Sequence, residues 1–101
     1  MAPRSQLQDL LVEILGSDNV YFQPPTNVLL VYPCIIYKRD LSVTKFADDI
    51  PYRHTLRYQV TVIDPDPDSV IPKKIADLPL CAFIRFFTVD NLNHDIFNLY
   101  Y

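Results

Sequence analysis

Residues 52–64 read YRHTLRYQVTVID, and this stretch restricts the possible fold more than any other. Tyr52, Leu56, Tyr58, Val60 and Val62 fall on one parity; Arg53, Thr55, Arg57, Gln59 and Thr61 fall on the other. Alternation with period two over this length predicts a long strand with one apolar and one polar face. His54, standing among the apolar positions, is the one irregularity. Thr, Tyr and Val suit a pleated surface, and neither Gly nor Pro breaks the run. The expected place of this segment is the centre of an antiparallel sheet.

The flanking chain supplies what such a sheet needs. Residues 4–15, RSQLQDLLVEIL, place Leu7, Leu10, Leu11, Ile14 and Leu15 on one stripe of a helix. Ser5 with Gln8 fits a capping box, Pro3 is tolerated at a helix start, and Gly16 stands where a left-handed residue closes a helix. A short extended piece at 20–23 ends at Pro24-Pro25. Residues 28–38 are apolar on both parities, so they read as a strand covered on both faces, with Pro33 marking an edge, a bulge or a break. Residues 39–51 are expected as a mobile hairpin arm or loop, with turn chemistry at Asp48, Asp49 and Pro51. After the central strand, residues 70–78 predict a short helix capped by Asp68 or Ser69, with Pro72 in its first turn and Pro79 ending it. Residues 80–89 and 94–101 predict two further strands, joined by a turn at Asp90-Asn91 or at Asn91-Leu92-Asn93. The expected class is α+β: a mainly antiparallel sheet of four to five strands, with an N-terminal amphipathic helix and a second short helix on one face.

Composition narrows the function classes. A chain of 101 residues makes one domain, and 50% hydrophobic residues exclude a disordered tail. The net charge is −3 and Lys and Arg are scattered, which argues against nucleic acid or an anionic membrane as a gripped partner. Cys34 and Cys81 lie in apolar, strand-like runs and read as buried thiols, not as a disulfide. No signal peptide and no run of membrane-spanning length is apparent, so use in a cytoplasm is expected.

No catalytic signature emerges. One Gly cannot build a phosphate-cradling loop. The run Asp64-Pro-Asp66-Pro-Asp68 resembles the start of a calcium loop, but Ser69 replaces the required Gly and Ile75 the required Glu. A rigid strand-to-helix turn explains it better. His54 and His94 lack zinc-type spacing, and nothing visibly activates a Cys–His pair. The expectation is a non-enzyme without cofactor or metal. Two short helices can cover only one sheet face, yet three strands are apolar on both. The surplus, rich in Tyr and Phe, points to contacts between chains. Candidate subunit or partner contacts are Leu41, Val43, Phe46, Phe97, Leu99, Tyr100 and Tyr101. Arg53, Arg57 and Gln59 form a candidate polar sheet face, either solvated, meeting a neighbour or lining a lumen.

The order of elements, with the stretches Tyr32-Pro33 through Tyr37 and Arg57 through Asp64 and the closing HDIFNLYY, resembles the tail terminator (tail completion) proteins of long-tailed bacteriophages. The resemblance covers nearly the whole chain, taking residues 1–101 as a single domain of that kind; the chain is shorter than the larger lambda-type members, mainly in its second helix. It implies a structural virion protein: a homo-hexameric ring in the tail neck, assembled in the host cytoplasm and seated on the tail tube protein. Such a ring stops tube polymerisation and offers a joining surface to the head-side connector or stopper. DNA would pass its lumen without specific binding, and no membrane would be involved. Other readings are a different neck protein, such as a connector or stopper, or a small dimeric bacterial binding module.

Overall fold

A computed structural model describes residues 4–47 and 50–101, with side chains described for 4–40 and 56–101. The chain is α+β. Helix α1 (Arg4–Leu15) precedes strands β1 (Val20–Phe22), β2 (Cys34–Ala47) and β3 (Ile50–Asp64); helix α2 (Ile71–Ala76) precedes β4 (Cys81–Val89) and β5 (Leu92–Tyr100). The five strands form one sheet in the order β1-β2-β3-β5-β4, which puts the alternating segment at its centre. All pairings are antiparallel except β1 with β2.

The alternation of β3 does what its pattern predicts. Tyr58, Val60 and Val62 are buried with Tyr37, Phe97 and Leu99 beneath Leu7 and Leu11 of α1 and Ile75 of α2. Arg57, Gln59 and Thr61 face the other way. Register fixes these sets, since directly opposed residues share a face: Val60 lies opposite both Tyr37 and Phe97, and Gln59 opposite Lys38 and Asn98.

Helix α1 has the predicted bounds. Gly16 takes φ +80° and donates its N–H to Val12 O at 2.8 Å, closing the helix as a residue without Cβ can. The capping box does not form, because Ser5 lies inside the helix and Gln8 has other partners. Gln8 Nε2 donates to Val20 O at 3.2 Å, and Gln8 Oε1 accepts from the Tyr37 hydroxyl at 2.5 Å. Arg4 Nη1 also donates to that hydroxyl, at 3.1 Å. Burial raises the Tyr37 hydroxyl above its usual pKa, against the pull of Arg4.

Three expectations need correction. The strand expected over 28–38 begins only at Cys34, behind a cis Tyr32–Pro33 peptide, and residues 28–33 form no strand. Topology explains this: β1 and β2 are parallel neighbours, so the intervening chain must return to the start of the sheet as a crossover, here without a helix. Helix α2 is shorter than 70–78. Val70 stands at its N-cap position without a side-chain cap bond, although Ser69 Oγ accepts from Ile71 N at 3.3 Å. Cys34 is buried, whereas Cys81 is only half-buried, on the strand at the sheet margin; both are free thiols.

The β4–β5 turn falls at Asp90-Asn91, as one of the sequence alternatives had it. Both residues have positive φ (53° and 62°), the form that matches the twist of a two-residue hairpin. The acidic run is a rigid turn: Asp64 Oδ1 accepts from Asp66 N at 2.8 Å, and Asp66 Oδ1 from Asp68 N at 2.9 Å. Asn93 Nδ2 donates to Asp64 O at 3.0 Å, tying the turn to β5.

Candidate interaction surfaces

Strands β2 and β3 continue well past the rest of the sheet. β5 pairs with β3 only over 57–64, and β1 reaches β2 only at 35–37. Beyond that, residues 41–47 and 50–56 pair in register only with each other, with one further bond at the root from Tyr101 N to Leu56 O at 3.1 Å. The result is a two-stranded arm, consistent with extents of 51 × 24 × 23 Å. The radius of gyration is 14.7 Å, against about 13 Å for a compact domain of this length.

The root of the arm is a built feature. Asp40 is skipped in the register between Arg39 and Leu41, a bulge that bends the strand and strengthens its twist. The Asp40 carboxylate returns to β3, where Oδ2 accepts from Arg57 Nη2 at 2.8 Å and Nε at 2.9 Å. Hydrogen bonding to Tyr100 is the largest influence holding the Arg57 guanidinium above its ordinary pKa; desolvation opposes it and Asp40 adds to it. The pair is solvent-facing, so its contribution is the angle at which the arm leaves the sheet more than stability.

The two margins of the sheet differ. β1 is three residues long, is followed by Pro24-Pro25, and has Arg4 laid over the Phe22 ring at 4.3 Å. β4 has nine residues, CAFIRFFTV, mostly exposed. Phe83 and Phe86 are each 54% exposed, Val89 49% and Ile84 47%. Phe83, opposite Phe97, and Phe86, opposite Asp95, lie on the helix-bearing face; a bulge accommodates Ile84 between them. On the other face Phe87 stacks on His94 with centroids 4.6 Å apart, and Arg85 covers Phe87 at 4.8 Å. Burial raises the Asp95 carboxyl above its usual pKa, against a lowering pull from His94.

The 23–33 crossover forms a second apolar surface. It exposes Val28 (39%), Leu29 (87%), Val31 (56%) and Tyr32 (40%). Beneath it, a cavity of about 560 Å³ opens between Pro24, Pro25, Val28 and Leu30 on one side and Ile36, Lys38 and Arg39 of β2 on the other.

The candidate contact residues separate into groups. Phe97 and Leu99 are each 1% exposed and fill the chain's own core, so neither is a surface for a partner. Their parity in the last strand was legible, but β4 covers the margin that would have exposed them. Tyr100 and Tyr101 are half-buried; Tyr100 engages Arg57, and Tyr101 packs against the core. Leu41, Val43 and Phe46 lie on the β2 limb of the arm and Arg53 on its β3 limb, where side chains fall outside the described residues, as does that of His54. The turn residues Asp48 and Asp49 and the helix-leading Pro3 lie outside the described residues altogether. Arg57 and Gln59 are brought together on the helix-free face. Sequence reasoning missed Phe83, Ile84, Phe86 and Leu29 as individual contact candidates, although the two-sided apolar character of 80–89 and 28–33 was the signal that could have found them.

Among the described residues no group of three or more His, Cys, Asp or Glu is placed to hold a metal ion, and no helix is long and apolar enough to cross a membrane. Comparison of the chain with protein-family models, curated proteins and solved structures finds no match.

Proposed function

We propose that this protein is a tail terminator: a non-enzymatic structural protein that forms a hexameric ring on the end of a phage tail tube, stops its polymerisation and presents a joining surface to the head-side connector. The single observation that supports the reading best is the arm, a two-stranded projection leaving a compact sheet at a bulge and an ion-paired root. A ring that sits on a tube of repeating subunits must reach past its own body to engage them, and the arm supplies that reach. A net charge of −3 suits a ring whose lumen DNA passes without being held. In this reading the site of action is the virion tail neck, after assembly in the host cytoplasm.

The test is electron microscopy of the purified protein with open-ended tail tubes, beside a variant in which residues 43–55 are replaced by Asn-Gly. That dipeptide closes a hairpin between Ser42 and Leu56, which are paired in register. The parent should add density at one tube end and halt elongation; the shortened variant should stay folded and leave tubes uncapped. Binding only to portal-side rings would make the protein a connector, and a stable two-fold dimer that ignores tubes would end the reading. Normal capping by the shortened variant would remove the arm from the mechanism.

A further inference from the structure

We propose that β4 of one copy docks against the 23–33 crossover of the next, so that copies of this chain associate head-to-tail. Natural proteins blunt exposed strand edges with shortness, Pro, charge or covering groups, and β1 shows three of these devices. β4 shows one bulge and one Arg, and that Arg is laid over Phe87. No strand lies on its outer side among the described residues. An edge left long, apolar and open while its opposite is closed is a surface meant to be covered.

Shape and charge identify what covers it. From their exposures, the open side chains of Leu80, Phe83, Ile84 and Phe86 present roughly 450 Å², and Val28, Leu29, Val31 and Tyr32 roughly 400 Å². A standard specific interface covers about 1,600 Å² over both partners, so the two patches together supply more than half of one, before polar rims are counted. Area alone does not choose the occupant, since two copies of β4 would supply as much as these two unlike patches. They lie at opposite ends of the strand order, so a single molecule cannot join them to each other. The crossover patch carries a cavity with room for the Phe86 ring, with Lys38 and Arg39 among its lining. Asp95 lies opposite Phe86, and Asp90 closes the strand, so an acidic flank meets a basic one. Two unlike surfaces on one chain make a heterologous contact, which propagates in one direction and closes when its rotation divides a full turn. Closure into a ring rests on the tail reading above; the pairwise contact does not.

Two surface variants test it without tubes present. Ile84→Lys/Phe86→Lys spoils the β4 surface, and Val28→Glu/Leu29→Glu spoils the crossover; all four side chains are exposed, and circular dichroism checks that both variants fold. By analytical ultracentrifugation the parent should gain mass with concentration, and each variant alone should stay monomeric. Mixed in equal amounts they should form a 1:1 pair and nothing larger, because one good surface remains on each. The contact is refuted if either variant alone still dimerises, which would mean an isologous edge, if the mixture stays monomeric, or if the parent is monomeric up to about 1 mM, where even a weak specific contact would register. A parent that associates as expected yet ignores tubes would sink the tail reading and leave the contact standing.

Discussion

Val60→Asp tests the face assignment on which the whole fold depends. Val60 is fully buried, opposite Tyr37 on one side and Phe97 on the other. Losing the buried isopropyl group costs about 1.5–3 kcal/mol. A carboxyl there must take up a proton to remain buried, which at pH 7 costs about 4 kcal/mol for a group of ordinary pKa near 3.9. The protonated acid still lacks a partner, adding about 1–3 kcal/mol. The total of about 7–10 kcal/mol is comparable with the whole stability of a domain this size, about 5–15 kcal/mol. The sign with pH is specific. The introduced carboxyl has a folded pKa raised above its unfolded one, so the folded state holds more protons and stability falls as pH rises above about 4. Relative to the parent at each pH, about 4 kcal/mol should therefore return between pH 7 and pH 4. Urea unfolding followed by circular dichroism at several pH values reads this directly. Gln59→Asp, one residue away on the other face and opposite Lys38, should change stability by less than about 1 kcal/mol. If Val60→Asp unfolds at the parent's midpoint, or if its penalty is the same at pH 4 as at pH 7, the assignment of the core face is wrong.

Two smaller predictions follow from the raised groups. Asp95→Asn should raise the melting temperature at pH 7: burial lifts the folded pKa of Asp95, so its effect on stability is most favourable below the unfolded pKa and worsens as pH rises through the folded one, a dependence the variant should lose. Thiol alkylation of the native protein at pH 8 should modify Cys81 well before Cys34. Burial pushes the Cys34 thiol up to about 11, leaving about one molecule in 1,000 as reactive thiolate; equal rates by mass spectrometry would contradict the packing around β2.

The sheet was legible where one physical signal governed a segment. Alternation placed β3 and assigned its two faces, and the leucine stripe with Gly16 set α1 residue for residue. Errors came where a second constraint overrode composition. Residues 28–33 are as apolar as a buried strand, but the parallel pairing of β1 with β2 requires a returning connection, and no local pattern encodes that requirement. Phe97 and Leu99 share a face of the last strand, as read, yet that this face lies beneath α1 and α2, one strand in from the margin, is a fact of topology. Gln8 has the spacing of a capping box and is instead drawn off by Tyr37, a partner 29 residues away. For the surfaces, sequence bookkeeping detected an apolar surplus. Only the strand order showed that the surplus lies at two separated margins.

The bonds that Gln8 and Arg4 make to the buried Tyr37 hydroxyl also settle a question of alignment that hydrophobicity leaves open. Leu7 and Leu11, the two fully buried residues of α1, are one helical turn apart and chemically identical. Sliding the helix by four residues, about 6 Å, would put one leucine where the other had been, at little cost in apolar contact. The polar triplet is only half degenerate under that slide. With Leu11 in the seat of Leu7, Gln8 takes the place of Arg4 but the apolar Val12 takes the place of Gln8, so the Tyr37 hydroxyl keeps one partner and loses the other. Three polar side chains thus act as an index mark, selecting one of several nearly equivalent seats for the helix on the sheet.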